Sequence, residues 1–188
     1  MIEAVHPSLI YNEKVLSQDS IQAQITDVID KIKDNSPNWW TLWGNTFEVS
    51  NLDGDIISEY GLTELELAIH HAILMYCSSV GFAPRNYTRK SWWTVVKPNH
   101  NAHLHDHNYY DIAGSYYYKT NNKDGDLYFQ CMNPNASSLV FQQLSKPHFI
   151  TPEVGRIIMF PGWMLHGITT NKTSHTRIGI SFTILFNR

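Results

Sequence analysis

Cysteine is scarce in this chain. Cys77 and Cys131 are the only two among 188 residues, and neither belongs to a CxxC pair. Two thiols make at most one bridge, so a disulfide framework is excluded. Charge is sparse as well, at 16% of residues with a formal net charge of −3. No basic stripe runs through the sequence, which argues against a nucleic-acid module. The trio Arg85, Arg89 and Lys90 reads as a solvated loop. No stretch approaches the roughly 18 apolar residues of a membrane span, and the opening MIEAVHPSLI lacks a basic segment followed by an apolar one. Internal repeats, low-complexity tracts and an interdomain linker are also missing. These absences lead us to expect one domain in a reducing, cytoplasmic setting, with neither nucleic acid nor membrane as partner.

Apolar and aromatic residues are what the chain has in quantity. Hydrophobic side chains make up 43% and aromatic ones 13%, with six Trp and ten Tyr, a profile suited to a packed β-rich fold or a ring-lined cleft. Ile21, Ile25, Val28, Ile29 and Ile32 recur at helical spacing, so a helix is expected over residues 19–33. A second is expected from Thr63 to about Ser78, with Thr63 capping, Glu66 reaching back, and Leu62 and Leu67 as a hydrophobic staple. His70 and His71 on that helix read as structural. From Ser91 onward short aromatic and β-branched runs alternate with turns: SWWTVV, IAGSYYYK, DLYFQC, SSLVFQQL, GRIIMF and RIGISFTILF. That rhythm predicts antiparallel sheets in a sandwich or barrel. The division is thus 1–90, a helical or mixed elaboration, and 91–188, a β core, within one domain.

The histidines carry the chemical signal. His100, His103, His105 and His107 fall within eight residues, in PNHNAHLHDHN. In an extended segment His103, His105 and His107 would share a face, but the outer two would stand about 13 Å apart at roughly 3.3 Å per residue. One of the three is therefore surplus to any shared metal ion. His166, in MFPGWMLHGI, is the natural further ligand for an open metal site. Eleven residues later Arg177 opens the apolar run RIGISFTIL. A guanidinium is costly to bury unpaired, so it calls for an anion, from either the protein or a ligand.

From Trp93 to the C-terminus the string resembles the Fe(II)/2-oxoglutarate-dependent oxygenases of the prolyl-4-hydroxylase-like type, and is most similar to a poorly characterised subfamily of bacteria and phages. The matching pieces, in the family's order, are HDH followed by IAGSYYY, then PEVGRIIMFPGWMLHGI, then TRIGISF. The resemblance implies a mainly β protein with some helix. Its core would be a double-stranded β-helix (jelly-roll, cupin-like) behind an N-terminal helical layer. It implies Fe(II) held by His105, His107 and His166, with 2-oxoglutarate anchored by Arg177 and helped by Tyr117. The implied activity is oxidative decarboxylation of 2-oxoglutarate coupled to hydroxylation, with dioxygen and an unidentified prime substrate as partners. One departure stands out: the common form of this site has a carboxylate where this chain has a second paired histidine. His103 with His105, or use of Asp106 or Asp111, is thereby left open. Two other readings fit the residues. One is a cupin-like metalloenzyme that does not use 2-oxoglutarate. The other is a non-catalytic jelly-roll module that contacts a sugar or peptide through Tyr109, Tyr110 and Trp163.

Overall fold

The computed structural model describes residues 8–35, 41–43, 47–49, 54–130 and 146–188. Cys131, the turn MNPNAS and the strand expected at SSLVFQQL lie outside the described residues. The first part contains β1 (Tyr11–Lys14), α1 (Gln18–Asn35), β2 (Thr41–Trp43), β3 (Phe47–Val49), α2 (Ile56–Glu59) and α3 (Thr63–Ser79). Then follow β4 (Tyr87–Val96), β5 (Ala102–His105), β6 (Ile112–Lys119), β7 (Leu127–Phe129), β8 (His148–Ile150), β9 (Arg156–Pro161), β10 (His166–Ile168) and β11 (Arg177–Phe186). They form a seven-stranded sheet in the order β1-β9-β6-β11-β4-β3-β2 and a four-stranded sheet in the order β5-β10-β7-β8. All the ladders are antiparallel. This is the mainly β, double-stranded β-helix architecture with helices at its N-terminal side.

Alternation along the strands divides the major sheet into two faces. Ile178, Ile180, Phe182 and Ile184 of β11, Trp93 of β4 and Tyr116 of β6 pack against Ile21 and Ile25 of α1 and Leu65, Ile69 and Ile73 of α3. Each such aliphatic or aromatic side chain, taken fully out of water, contributes roughly 1.5–3 kcal/mol. The opposite face turns toward the minor sheet. There a second cluster of Ala113, Tyr117, Leu127, Phe129, Ile158, Phe160 and Met164 closes one part of the space between the sheets.

Several local expectations change under tertiary contact. Thr63 is the first helical residue and not the cap: Leu62 holds that place without a side-chain hydrogen bond. The Thr63 hydroxyl instead accepts from Gln24 of α1, while Glu66 binds Arg89 at 3.0 Å. Leu67 is 63% exposed, so no staple forms. Arg89 leaves the solvated trio as well. Its side chain is 5% exposed, bridging Asp55 and Glu66 between α2, α3 and β4. The polar strand β1 shows no apolar alternation in sequence and is fixed by pairing with β9. Cys77 is a buried free thiol. Among the described residues no helix is long and apolar enough to cross a membrane.

The contribution of β11 to the apolar core can be tested by truncation against an exposed residue of β5. Phe182→Ala, at a fully buried position, is expected to cost about 3–5 kcal/mol in urea unfolding. Leu104→Ala, at a position 43% exposed, should stay within about 0.5 kcal/mol.

Candidate metal and cosubstrate site

Two sheets facing each other enclose a cavity of about 320 Å³ whose walls include His105, His107, His166, Tyr117 and Arg177. Each histidine arrives by a different device. His166 opens β10, and its register partner across the ladder is His105, the last residue of β5. Between His166/His105 and Ile168/Ala102 the register shifts, so three steps along β5 oppose two along β10. A bulge of this kind re-aims side chains. Here Ala102 and His105 both line the cavity, while His103 and Leu104 are exposed. The shared face expected for His103, His105 and His107 is therefore not formed, because the segment is neither uniformly extended nor strand beyond His105.

His107 lies past the strand, where its backbone N–H donates to the Gly162 carbonyl at 2.7 Å. A side chain on Gly162 would put Cβ 2.1 Å from the Tyr110 carbonyl oxygen, so only glycine permits this approach. The His107 ring also packs 5.8 Å from that of Trp92. The result is a tight triad. Ring centroids are 4.3 Å apart for His105–His166, 5.1 Å for His105–His107 and 5.2 Å for His107–His166. One nitrogen from each ring lies within 4.8 Å of the other two.

Backbone carbonyls select the tautomers. Nδ1 of His105 is 2.7 Å from the His103 oxygen, and Nδ1 of His166 is 2.8 Å from the Met164 oxygen. A carbonyl only accepts, so each Nδ1 carries the hydrogen and each Nε2 the lone pair, as metal ligation requires. Burial favours the neutral rings. It lowers the pKa of His105, takes His107 down to about 4 and His166 down to about 3, with the neighbouring imidazoles adding to the shift for His107 and His166. Three neutral donors converging in a semi-enclosed cavity fit a divalent ion with coordination positions left over. Asp106 and Asp111 are not in the triad. Asp106 accepts from the Asn108 N–H at 3.1 Å, and Asp111 from the Phe186 N–H at 2.8 Å.

Arg177 lines the same cavity, 3% exposed, with its guanidinium carbon 5.5 Å from the centre of the Tyr117 ring. Its Nη1 donates to the Gly125 carbonyl. Among the described residues no carboxylate comes within 4.0 Å of it, although Asp124 and Asp126 are close enough to favour its charge against the burial that lowers its pKa. Burial likewise raises the Tyr117 phenol, with Arg177 opposing. The cavity wall also carries a chain of hydroxyls, Thr94 and Ser181 at 2.8 Å and Ser181 and Ser115 at 3.1 Å. Leu127, Ile168 and Ala102 line it as well. The sequence reading missed this hydroxyl chain and the Gly125 contact. Alternation within β11 was the available signal for the first. For the second, NNKDGD marks only a turn.

Comparison with known proteins bears on the family and the fold. A family model for 2OG-Fe(II) oxygenases matches residues 90–183. No curated protein sequence matches the chain. Among solved structures, a Pseudomonas putida prolyl-4-hydroxylase is similar at 11% identity and TM-score 0.66, over 95% of this chain and 93% of that one. HygX from Streptomyces hygroscopicus, with nickel and 2-oxoglutarate bound, is similar at 10% identity and TM-score 0.64, over 95% and 83%. A Trichoplax adhaerens prolyl hydroxylase, in complex with a hypoxia inducible factor peptide fragment, is similar at 12% identity and TM-score 0.66, over 94% and 83%. At these identities the structural likeness speaks for the fold.

Two measurements probe the triad. His105→Ala, His107→Ala and His166→Ala should each weaken Ni(II) binding at least tenfold by calorimetry, and His103→Ala should leave it within about twofold, on the scale of one lost ligand-type interaction. The reverse pattern would shift the ligand register by two residues. Proton linkage gives the second. Unfolded histidines take up protons near pH 6.5, whereas His107 and His166 do so only near 4 and 3. Below about pH 6.5 the unfolded state thus binds more protons, and apo stability falls as pH falls. The fall should be shallower in His166→Ala, and an equal slope in both proteins would contradict the buried neutral ring.

Proposed function

The chain belongs to the 2OG-Fe(II) oxygenases, and on that footing we propose that His105, His107 and His166 hold the Fe(II) while Arg177, seconded by Tyr117, holds the distal carboxylate of 2-oxoglutarate. When bound, the metal and its cosubstrate supply the oxidative chemistry, with 2-oxoglutarate going to succinate and CO2 as dioxygen is used to hydroxylate a C–H bond of the prime substrate. The chain's own residues bind, orient and exclude water. The carbonyls of His103 and Met164 keep two imidazole lone pairs aimed inward, and His107 is fixed through its backbone. Leu127, Ile168 and Ala102 make part of the cavity wall apolar, which dries the space open to Arg177 and strengthens its contact with a carboxylate.

A single observation carries the proposal: Arg177 is buried at the cavity wall and no carboxylate of the described chain pairs with it. An unneutralised guanidinium in such a place is suited to an anionic ligand. The all-histidine set also suits a cupin-like metalloenzyme without 2-oxoglutarate, in which Arg177 would bind the substrate itself. Along β11, Arg177 and Thr183 stand six residues apart, about 20 Å at roughly 3.3 Å per residue. We therefore assign the end lined by Lys90, Tyr110 and Thr183 to the prime substrate. We also read residues 1–188 as one domain, since α1 and α3 share their core with the major sheet. A cytoplasmic setting suits the free thiol of Cys77.

Arg177→Met separates the readings. Losing a charge-assisted fork costs on the order of 1.5–3 kcal/mol, or roughly ten- to a hundredfold in 2-oxoglutarate affinity measured with Ni(II). Metal affinity should hold. Apo stability should not collapse, because replacing an unpaired buried charge by an apolar chain relieves desolvation. Unchanged cosubstrate affinity, or an apo protein less stable by roughly 3–5 kcal/mol as for a broken buried ion pair, would remove Arg177 from the site.

A further inference from the structure

Arg177 must be held in place by something other than an ion pair, and the surrounding loops contain the means. Its one hydrogen-bond partner among the described residues, the Gly125 carbonyl, belongs to the tight turn between β6 and β7. Gly125 has φ +103°, and an added Cβ would lie 2.5 Å from the Thr169 carbonyl, so the turn is pressed against the loop after β10. Asp124, immediately before it, has a fully buried side chain. The carboxylate accepts from the Thr120 hydroxyl, from the Asn121 N–H at 3.0 Å and from Nδ1 of His175 at 2.9 Å. His175 lies two residues before Arg177 in sequence, so this contact ties the turn to the loop that leads into β11. Asn171, fully buried, continues the frame. Its amide donates to the His175 carbonyl at 2.7 Å and to the carbonyl of Val96 at 3.1 Å, and Val96 is the register partner of Arg177.

We propose that Asp124 and His175 are positioning residues for cosubstrate binding: their contact fixes the Gly125 carbonyl, and through it the direction in which Arg177 presents its guanidinium to the cavity. This rests on the reading that Arg177 holds the 2-oxoglutarate carboxylate. The arrangement answers a physical difficulty. A carboxylate placed directly on Arg177 would orient it but also neutralise it and compete with the ligand. A carbonyl oxygen orients it and leaves its charge available. Asp124, its own lone pairs engaged by three donors, stabilises the cation from behind without occupying the fork. The side chain of His175 is 29% exposed, so it can be replaced with little loss of core packing.

The test is calorimetric titration of 2-oxoglutarate into the Ni(II)-loaded full chain. His175→Ala and Asp124→Asn should each weaken binding about tenfold, the scale of one lost charge-assisted hydrogen bond, with Ni(II) affinity unchanged. His175→Gln, whose amide can still donate to Asp124, should recover most of the loss. In the Arg177→Met background neither His175→Ala nor Asp124→Asn should reduce affinity further, since residues acting through one group are non-additive. If Arg177→Met binds 2-oxoglutarate like wild type, the cosubstrate reading itself fails. If only Arg177→Met loses affinity while His175→Ala and Asp124→Asn bind normally, that reading stands and the positioning role is overturned. Additive losses in the Arg177→Met background would overturn it too. Should Asp124→Asn not fold, His175→Ala against His175→Gln decides alone.

Discussion

β11 faces two environments along its whole length, and the rest of the molecule is arranged around that fact. It is paired on both sides, with β4 through ten residues and with β6 through seven. Its even-numbered residues, Ile178, Ile180, Phe182 and Ile184, lie in the apolar layer under α1 and α3. Its odd-numbered ones, Arg177, Gly179, Ser181 and Thr183, line the cavity. A slip of one residue would put the arginine into the helical core and the isoleucines into the site. Register is therefore fixed by burial on one face, and the polar face inherits a defined geometry without having to stabilise it.

The histidine triad draws on the opposite sheet by less regular means. A ladder pair sets His105 against His166, a bulge removes His103 from the same face, and a glycine contact carries His107 in from outside the strand. Backbone carbonyls then choose the tautomer of two of the rings. None of these devices costs a buried charge. The three rings remain neutral because they are desolvated, which is also the state that can bind a cation. In the proposed site all-imidazole ligation would leave the ion's positive charge intact, which suits a dianionic cosubstrate.

Arg177 and the neutral histidine triad line one cavity, together with Thr94, Ser115 and Ser181 and the apolar Leu127, Ile168 and Ala102. A small dicarboxylate with one chelating end and one simple carboxylate matches the proposed metal site and Arg177 at once. Among the described residues no carboxylate pairs with the arginine, so its charge is desolvated and only partly offset by Tyr117, Asp124 and Asp126. Incomplete compensation of this kind accords with the proposed ligand role.

By itself the sequence determined the periodic elements and the identity of the chemistry. Isoleucine spacing defined α1, aromatic and β-branched runs defined β4, β6, β9 and β11, and HDH, His166 and Arg177 appeared in an order that resembles the 2OG-Fe(II) oxygenases. These features are local, governed by side-chain period and by what each group can bind. Tertiary structure alone decided which members of the histidine run converge, because a bulge is set by cross-strand pairing and leaves no trace in alternation. It also decided that Thr63 and Glu66 would serve Gln24 and Arg89 in place of a cap. Whether Arg177 would meet a carboxylate of the described residues or open on a cavity was likewise settled by two loops far apart in sequence, since a buried charge is defined by its surroundings and not by its neighbours along the chain.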